Sequence, residues 1–451
     1  MKKIISIALA LLMVAVMLPV MAMAEEPAAA LPPADANGVI KLTNNVTLSN
    51  MTEIRGNITL DLNGFTISGK GTVLDLYGTI EIRDSSEGGN GKIVSTERTN
   101  TPPNSPNSNG IWINNDTSVT INSGTIEGNT WGVVVAGVNA SLTMNGGTVI
   151  NGITGNGNEN AGVPDYAPTT ITINGGVVKG GELGIYHPQV GTLTITNGDI
   201  SGQSGIEMRA GTLNVTGGSI SSTGDRLDVR ENGGGQTTVG AALAIAQHTT
   251  KRPITVNISG GNFNGPAALN EANPQNNPED ATKNVGIVVN GGTFNGAVNK
   301  AEDGSSLGVM GGTFNSDVTD YVHASPTVKD NNGKYYVGST AKNAVENAES
   351  GSFEVLTASA DETLNVKPGV TIVNNSNTTI RVNGNDVKPE TSYTVPGTIT
   401  IIVPSDGGNT TTTPSTDNTK NPGTGANDFV GVAAAMAVIS LLGAAAVIRK
   451  K

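Results

Sequence analysis

The chain has 451 residues, with 26 basic against 38 acidic side chains and a formal net charge of −12. That balance repels nucleic acid and other anionic polymers and argues against them as partners. Cysteine is absent, glycine reaches 60 residues without a Gly-X-Y period, and aromatics make up 3%. Disulfides, thiolate metal sites, a cysteine nucleophile and a collagen-like fold are therefore excluded, and few rings are available to stack against sugars.

The chain opens with Lys2-Lys3, an apolar stretch over residues 4–20, and the small-residue series Ala22-Met23-Ala24. This pattern predicts a secretory signal peptide over 1–24, cleaved after Ala24, with a mature start at Glu25. Residues 25–37 read as an N-terminal segment or cap.

One phrase then recurs eight times: an apolar or Thr strand residue, a turn of small residues ending in Gly, a polar residue, then Ile, Val or Phe. Its copies include INSGTIEG, MNGGTVING, INGGVVKG, ITNGDISG and VNGGTFNG. The turn glycines are Gly124, Gly147, Gly176, Gly198, Gly218, Gly261, Gly292 and Gly312, at intervals of 23, 29, 22, 20, 43, 31 and 20 residues. Repeats at this period predict a solenoid, with 43 close to two periods and 29 and 31 as one period plus a loop. Alternation such as Thr-Ile-Thr-Ile at 170–173 predicts strands with every second residue buried, and Asn-Gly or Gly-Gly pairs supply tight corners. About 22 residues per coil suits three short strands and three turns. This resembles the pectate-lyase-like right-handed parallel β-helix, the handedness following from the resemblance and from the rule for parallel crossovers.

The fold class read from the sequence is thus all-β: a β-helix over 38–320 with roughly 13 coils, spanning on the order of 60 Å at about 4.8 Å per coil. Residues 275–283 and the Gly-rich 225–238 read as loops leaving it. From Tyr321 the grammar changes: a helix is predicted over 341–349, and shorter strands follow in a small β-rich domain or cap over 321–404. Residues 405–420, rich in Thr, Asn and Gly, form a flexible linker.

The last segment reads NPGTG, an uncharged apolar run over 429–448, and Arg449-Lys450-Lys451. Twenty apolar residues suffice to cross a bilayer, and the basic tail favours a cytoplasmic end. The order resembles the cell-wall sorting signal of Gram-positive, LPXTG-like surface proteins. That resemblance implies that a sortase recognises Asn421, Pro422, Gly423, Thr424 and Gly425, attacks the Thr424 carbonyl and passes the chain to a cell-wall amine. Asn421 departs from the commoner leucine while Gly425 keeps the usual final glycine, which leaves the sortase class open. Removal of both ends would take away Lys2, Lys3, Arg449, Lys450, Lys451 and Asp428, leaving 21 basic and 37 acidic residues and a net charge of −16. The partners implied are sortase and peptidoglycan, with the membrane engaged through 429–448 before sorting.

A candidate binding face follows from aligning coils on Gly-Ile/Val strand starts. With Ile and Val inward, Trp112, Val134, Tyr186, Glu207 and Ala246 are expected to face out along one sheet, with Arg209 and His248 two residues further and Gln189 on a nearby turn. Trp112, Tyr186, Glu207, Arg209 and His248 could form a groove for a host glycan or protein, the rings stacking and Arg209 holding a carboxylate. An ordinary solvated face with a Glu207–Arg209 ion pair is the plainer alternative. Catalysis finds less support. Asp84/Glu87 and Asp225/Asp228/Glu231 fall in loop-like segments, while His187, His248 and Lys251 stand alone. No cofactor is required, although an acidic loop could hold a calcium ion. The readings open at this point are an adhesin-like or structural module, a surface-attached polysaccharide lyase or hydrolase, and a passive spacer.

Overall fold

The computed structural model describes residues 29–97, 108–155, 168–231 and 236–397. Strands form where β-branched residues alternate with small polar ones. In Thr169–Ile173 and Gly191–Ile195, Ile171, Ile173, Leu193 and Ile195 are fully buried, while Thr170, Thr172, Thr192 and Thr194 face away from the core. Each strand pairs in parallel with one about a repeat later. Leu142, Ile171, Leu193, Leu213, Val256, Ile287 and Leu307 therefore stand in one column.

Three such stacks share one core. Within each coil the chain passes through a short first-face strand such as Thr125–Glu127, a second-face strand such as Trp131–Val135, and a third-face strand such as Ser141–Met144. The result is an all-β fold with a large, many-stranded parallel sheet, consistent with a parallel β-helix.

The first face has eleven levels, from Val46 through Ile126 and Ile200 to Phe314. This is fewer than the 13 or so coils expected. Insertions account for the difference: Ser219 pairs directly with Asn262, so the 43-residue interval is one coil with an inserted hairpin rather than two coils. Likewise Thr79 pairs with Ser118 across a single coil. Phe263, Phe294 and Phe314 close the C-terminal end of the core as a stack with centroids 4.7 and 4.8 Å apart.

All eight turn glycines of the repeat have positive φ, between 81° and 120°. Gly176 shows why: a Cβ there would sit 2.7 Å from the Gly147 carbonyl oxygen, because each turn lies directly on the one before. At the N-terminal end, strands Thr52–Asp61 and Leu74–Arg83 run around the corner from second to third face through Gly56 and Gly78. A Cβ on Gly78 would come 2.4 Å from the Gly56 carbonyl.

Leu31 packs against the core of the stack. At the other end, Gly312–Phe314 pairs antiparallel with Tyr335–Val337, which ends the parallel stack. Strands between Thr327 and Thr394 gather around a second core that includes Val328, Phe353, Val355, Ile372 and Val382. Helix Ser339–Asn347 contributes its buried Ala341 and Val345 to that core. All residues of both cores fall between Leu31 and Val395. The segment read as a loop over 275–283 contains a short helix, Glu279–Thr282. Among the described residues no helix is long and apolar enough to cross a membrane. The predicted signal peptide, linker, sorting pentapeptide and 429–448 span lie outside the described residues.

Candidate binding face

The second face builds one outward ladder: Glu53, Asp75, Trp112, Val134, Thr154, Tyr186, Glu207, Ala244 and Asn270. Trp112 and Tyr186 stand in it, half-buried, between inward neighbours such as Ile111, Ile113 and Ile185. Glu207 faces Ala244, not Ala246, so the expected alignment is two residues out of register beyond Met208. The cause is the pattern Ala-Ala-Leu-Ala-Ile-Ala over 241–246. Leu243 and Ile245 both point inward, so hydrophobic alternation alone fits either register.

Glu207 and Arg209 are not on an open surface: both are 0% exposed. Glu207 points away from the core as the alternation requires, but the insertion after strand Ser219–Ser222 folds over it. That insertion forms a small antiparallel hairpin, Asp228–Val229 with Thr238–Val239. Its Thr237 donates to Glu207 from the backbone at 3.0 Å and from Oγ1 at 2.7 Å, and the Thr238 N–H donates at 3.3 Å. Arg209 Nη1 lies 3.5 Å from Glu207 Oε1. Burial pushes the Glu207 carboxyl up, against the pull of Arg209 and the Thr237 and Thr238 donors. Beside this pair, Leu227 packs on Ala241, Ala244 and Ala267. Glu207, paired with Arg209, thus holds the hairpin to the sheet.

His248 lies past the end of strand Ala241–Ala246 and is half-buried. Its N–H donates to the Arg209 carbonyl at 3.3 Å, and its own carbonyl accepts from Asn277 at 3.0 Å. It does not stand in the ladder with Trp112 and Tyr186.

Sequence reasoning missed Trp131. Its ring stacks on Tyr186 with centroids 6.2 Å apart and planes 11° off parallel, lying over Gly152. The alignment began at the strand-start glycine, so the residue preceding Gly132 went unread. The available signal was composition: the chain has only two tryptophans, and both fall on this face. Further toward the N-terminus, Arg55 sits 3.6 Å over the Tyr77 ring, and the Tyr77 hydroxyl donates to Asp75 at 2.9 Å.

The remaining candidates are held structurally. His187 is fully buried inside the stack and its Nδ1–H donates to the Ala210 carbonyl at 3.1 Å. Burial pushes its pKa down to about 4. Gln189 is buried beside it and donates to Thr169. Burial alone would raise the Asp84 carboxyl, but N–H donors from Gly91, Ser86 and Gly64 hold it below the usual range. Asp228 pairs with Arg230 at 2.8 Å, at the edge of an open pocket of about 380 Å³ lined also by Gln203, Asp225 and Arg226. Among the described residues no three His, Asp or Glu side chains converge as a metal site. No family model, curated relative or solved structure matches this chain.

Proposed function

We propose that this chain is a sortase-anchored surface protein of a Gram-positive cell: a right-handed β-helix that presents its second face as an adhesin-like binding module. The observation that carries this reading is the C-terminal order of NPGTG, a 20-residue uncharged apolar run and three basic residues, opposite an N-terminal signal pattern. The repeated coils support it, since a solenoid built by stacking stays ordered outside the cell without disulfides.

Trp112 and Tyr186 of the expected patch remain as ligand-facing side chains, and Trp131 joins them in place of Glu207, Arg209 and His248. Rings of this kind take up the C–H faces of neutral sugars, and the acidic charge of the chain disfavours anionic ones. With Glu207 and Arg209 enclosed, the charged pair is assigned to holding the hairpin rather than to turnover.

Two experiments test the reading. Thr424→Ala should leave the protein in the membrane fraction of a sortase-bearing host, whereas the parent chain fractionates with peptidoglycan; equal wall retention would sink the anchoring proposal. A glycan and host-protein array, probed with residues 25–424 and read for both retention and released product, tests the module. Retention that falls at least tenfold with Trp131→Ala supports binding, and product release would make the protein an enzyme.

A further inference from the structure

Among the described residues, the third face carries no charge and no ring over six successive levels. Its outward positions lie in unbroken parallel register, first as Ser118, Ser141, Thr170, Thr192, Thr212 and Thr255. A second row runs from Thr120 through Thr143, Thr172 and Thr194 to Asn214 and Asn257. The turn that follows adds Asn122, Asn145, Asn174 and Thr196, bonded in series at 2.8–3.0 Å. All of these side chains are exposed or half-exposed. Levels repeat at about 4.8 Å and the two strand rows lie about 7 Å apart, so the array is periodic in two directions.

Within the two strand rows, Ser141 bonds Ser118 at 2.9 Å and Asn257 bonds Asn214 at 3.0 Å. The hydroxyls of Thr143, Thr170, Thr172, Thr192, Thr194 and Thr212 bond no side chain or backbone among the described residues. Threonine is stiff at χ1, so their positions are set before any partner arrives.

The chemistry of this face narrows its partner by elimination. Without charge it offers nothing to an ionic ligand, and with no rings and no apolar group larger than a threonine methyl it offers little to a sugar ring face or a protein core. A single hydroxyl gains little over water. Only a rigid partner that repeats in two dimensions lets many such contacts form for one loss of orientational freedom. A crystalline polysaccharide exposes C–H ring faces, which call for aromatic side chains. A lattice of water molecules calls for hydroxyls and methyls alone.

We propose that the third face binds the surface of crystalline ice. This assignment uses a different face and partner from the wall-anchored module and stands whether or not that reading holds.

The test uses residues 25–424, which contain both cores, partitioned into a slowly growing ice hemisphere and examined for thermal hysteresis. The parent protein should be enriched in the ice and open a gap between melting and freezing points. Thr172→Lys with Thr194→Lys, in the middle of the array, should reduce enrichment at least tenfold with an unchanged circular dichroism spectrum. Ser201→Lys, on the first face beside Lys179, should leave enrichment intact. Exclusion of the parent protein from ice, or an unaffected double variant, would overturn the proposal. Retention on microcrystalline cellulose or chitin without ice enrichment would overturn it in favour of a crystalline polysaccharide.

Discussion

His187 shows how one buried side chain couples this fold to pH. Its ring lies inside the stack with no exposure and stays neutral, since its pKa is held down to about 4 from 6.5. The unfolded chain therefore binds more protons than the folded one between those two values, and stability rises with pH across that window. Above about pH 6.5 the stabilisation is complete, and below about pH 4 it is gone. The shift corresponds to about 3 kcal/mol. Urea unfolding at pH 7 and pH 4 should differ by about that amount beyond the change seen in His187→Gln. Equal pH dependence in both proteins would show that His187 is not the group responsible. None of this was legible in the sequence, where His187 reads, like His248 and Lys251, as a polar residue standing alone. The alternation does place it inward, but how deep it lies depends on Met208 and Ala210 one coil away.

At the scale of elements, the hairpin of Asp228–Val229 and Thr238–Val239 is held by a buried acid with three donors on it. Glu207→Ala would leave the Thr237 and Thr238 N–H groups and the Arg209 guanidinium without that acceptor in a dry site. The expected loss is about 3 kcal/mol, with binding of a hydrophobic dye as the hairpin lifts from Ala241, Ala244 and Ala267. Unchanged stability and no dye binding would mean the hairpin is held elsewhere. The strands themselves were legible, because their buried and exposed residues alternate with period two and each turn ends in a glycine of positive φ. The hairpin was not. Its segment, Gly-rich and charged over 225–238, reads as a loop, and it takes the Thr237 and Thr238 bonds to Glu207 and the packing of Leu227 to show that it lies on the sheet. For the same reason the outward direction of Glu207 was readable and its burial was not.

Across the whole molecule, two cores meet where the last first-face strand of the stack, Gly312–Phe314, takes the antiparallel partner Tyr335–Val337. The second body therefore covers the C-terminal end of the stack, where a further coil could add. Ending the chain after residue 322 should expose that edge and the ring of Phe314, and the truncated protein should form oligomers in light scattering where residues 25–424 do not. A monodisperse truncated chain would show that the edge needs no cover. The register of the coils carries one more consequence. Leu142 meets Ile171, which meets Leu193, and throughout the stack each strand finds its earlier partner in the coil just completed. A chain that leaves the ribosome or crosses a membrane N-terminus first can thus add coil to coil as it appears. Each new level is templated by a finished edge, and assembly can keep pace with delivery.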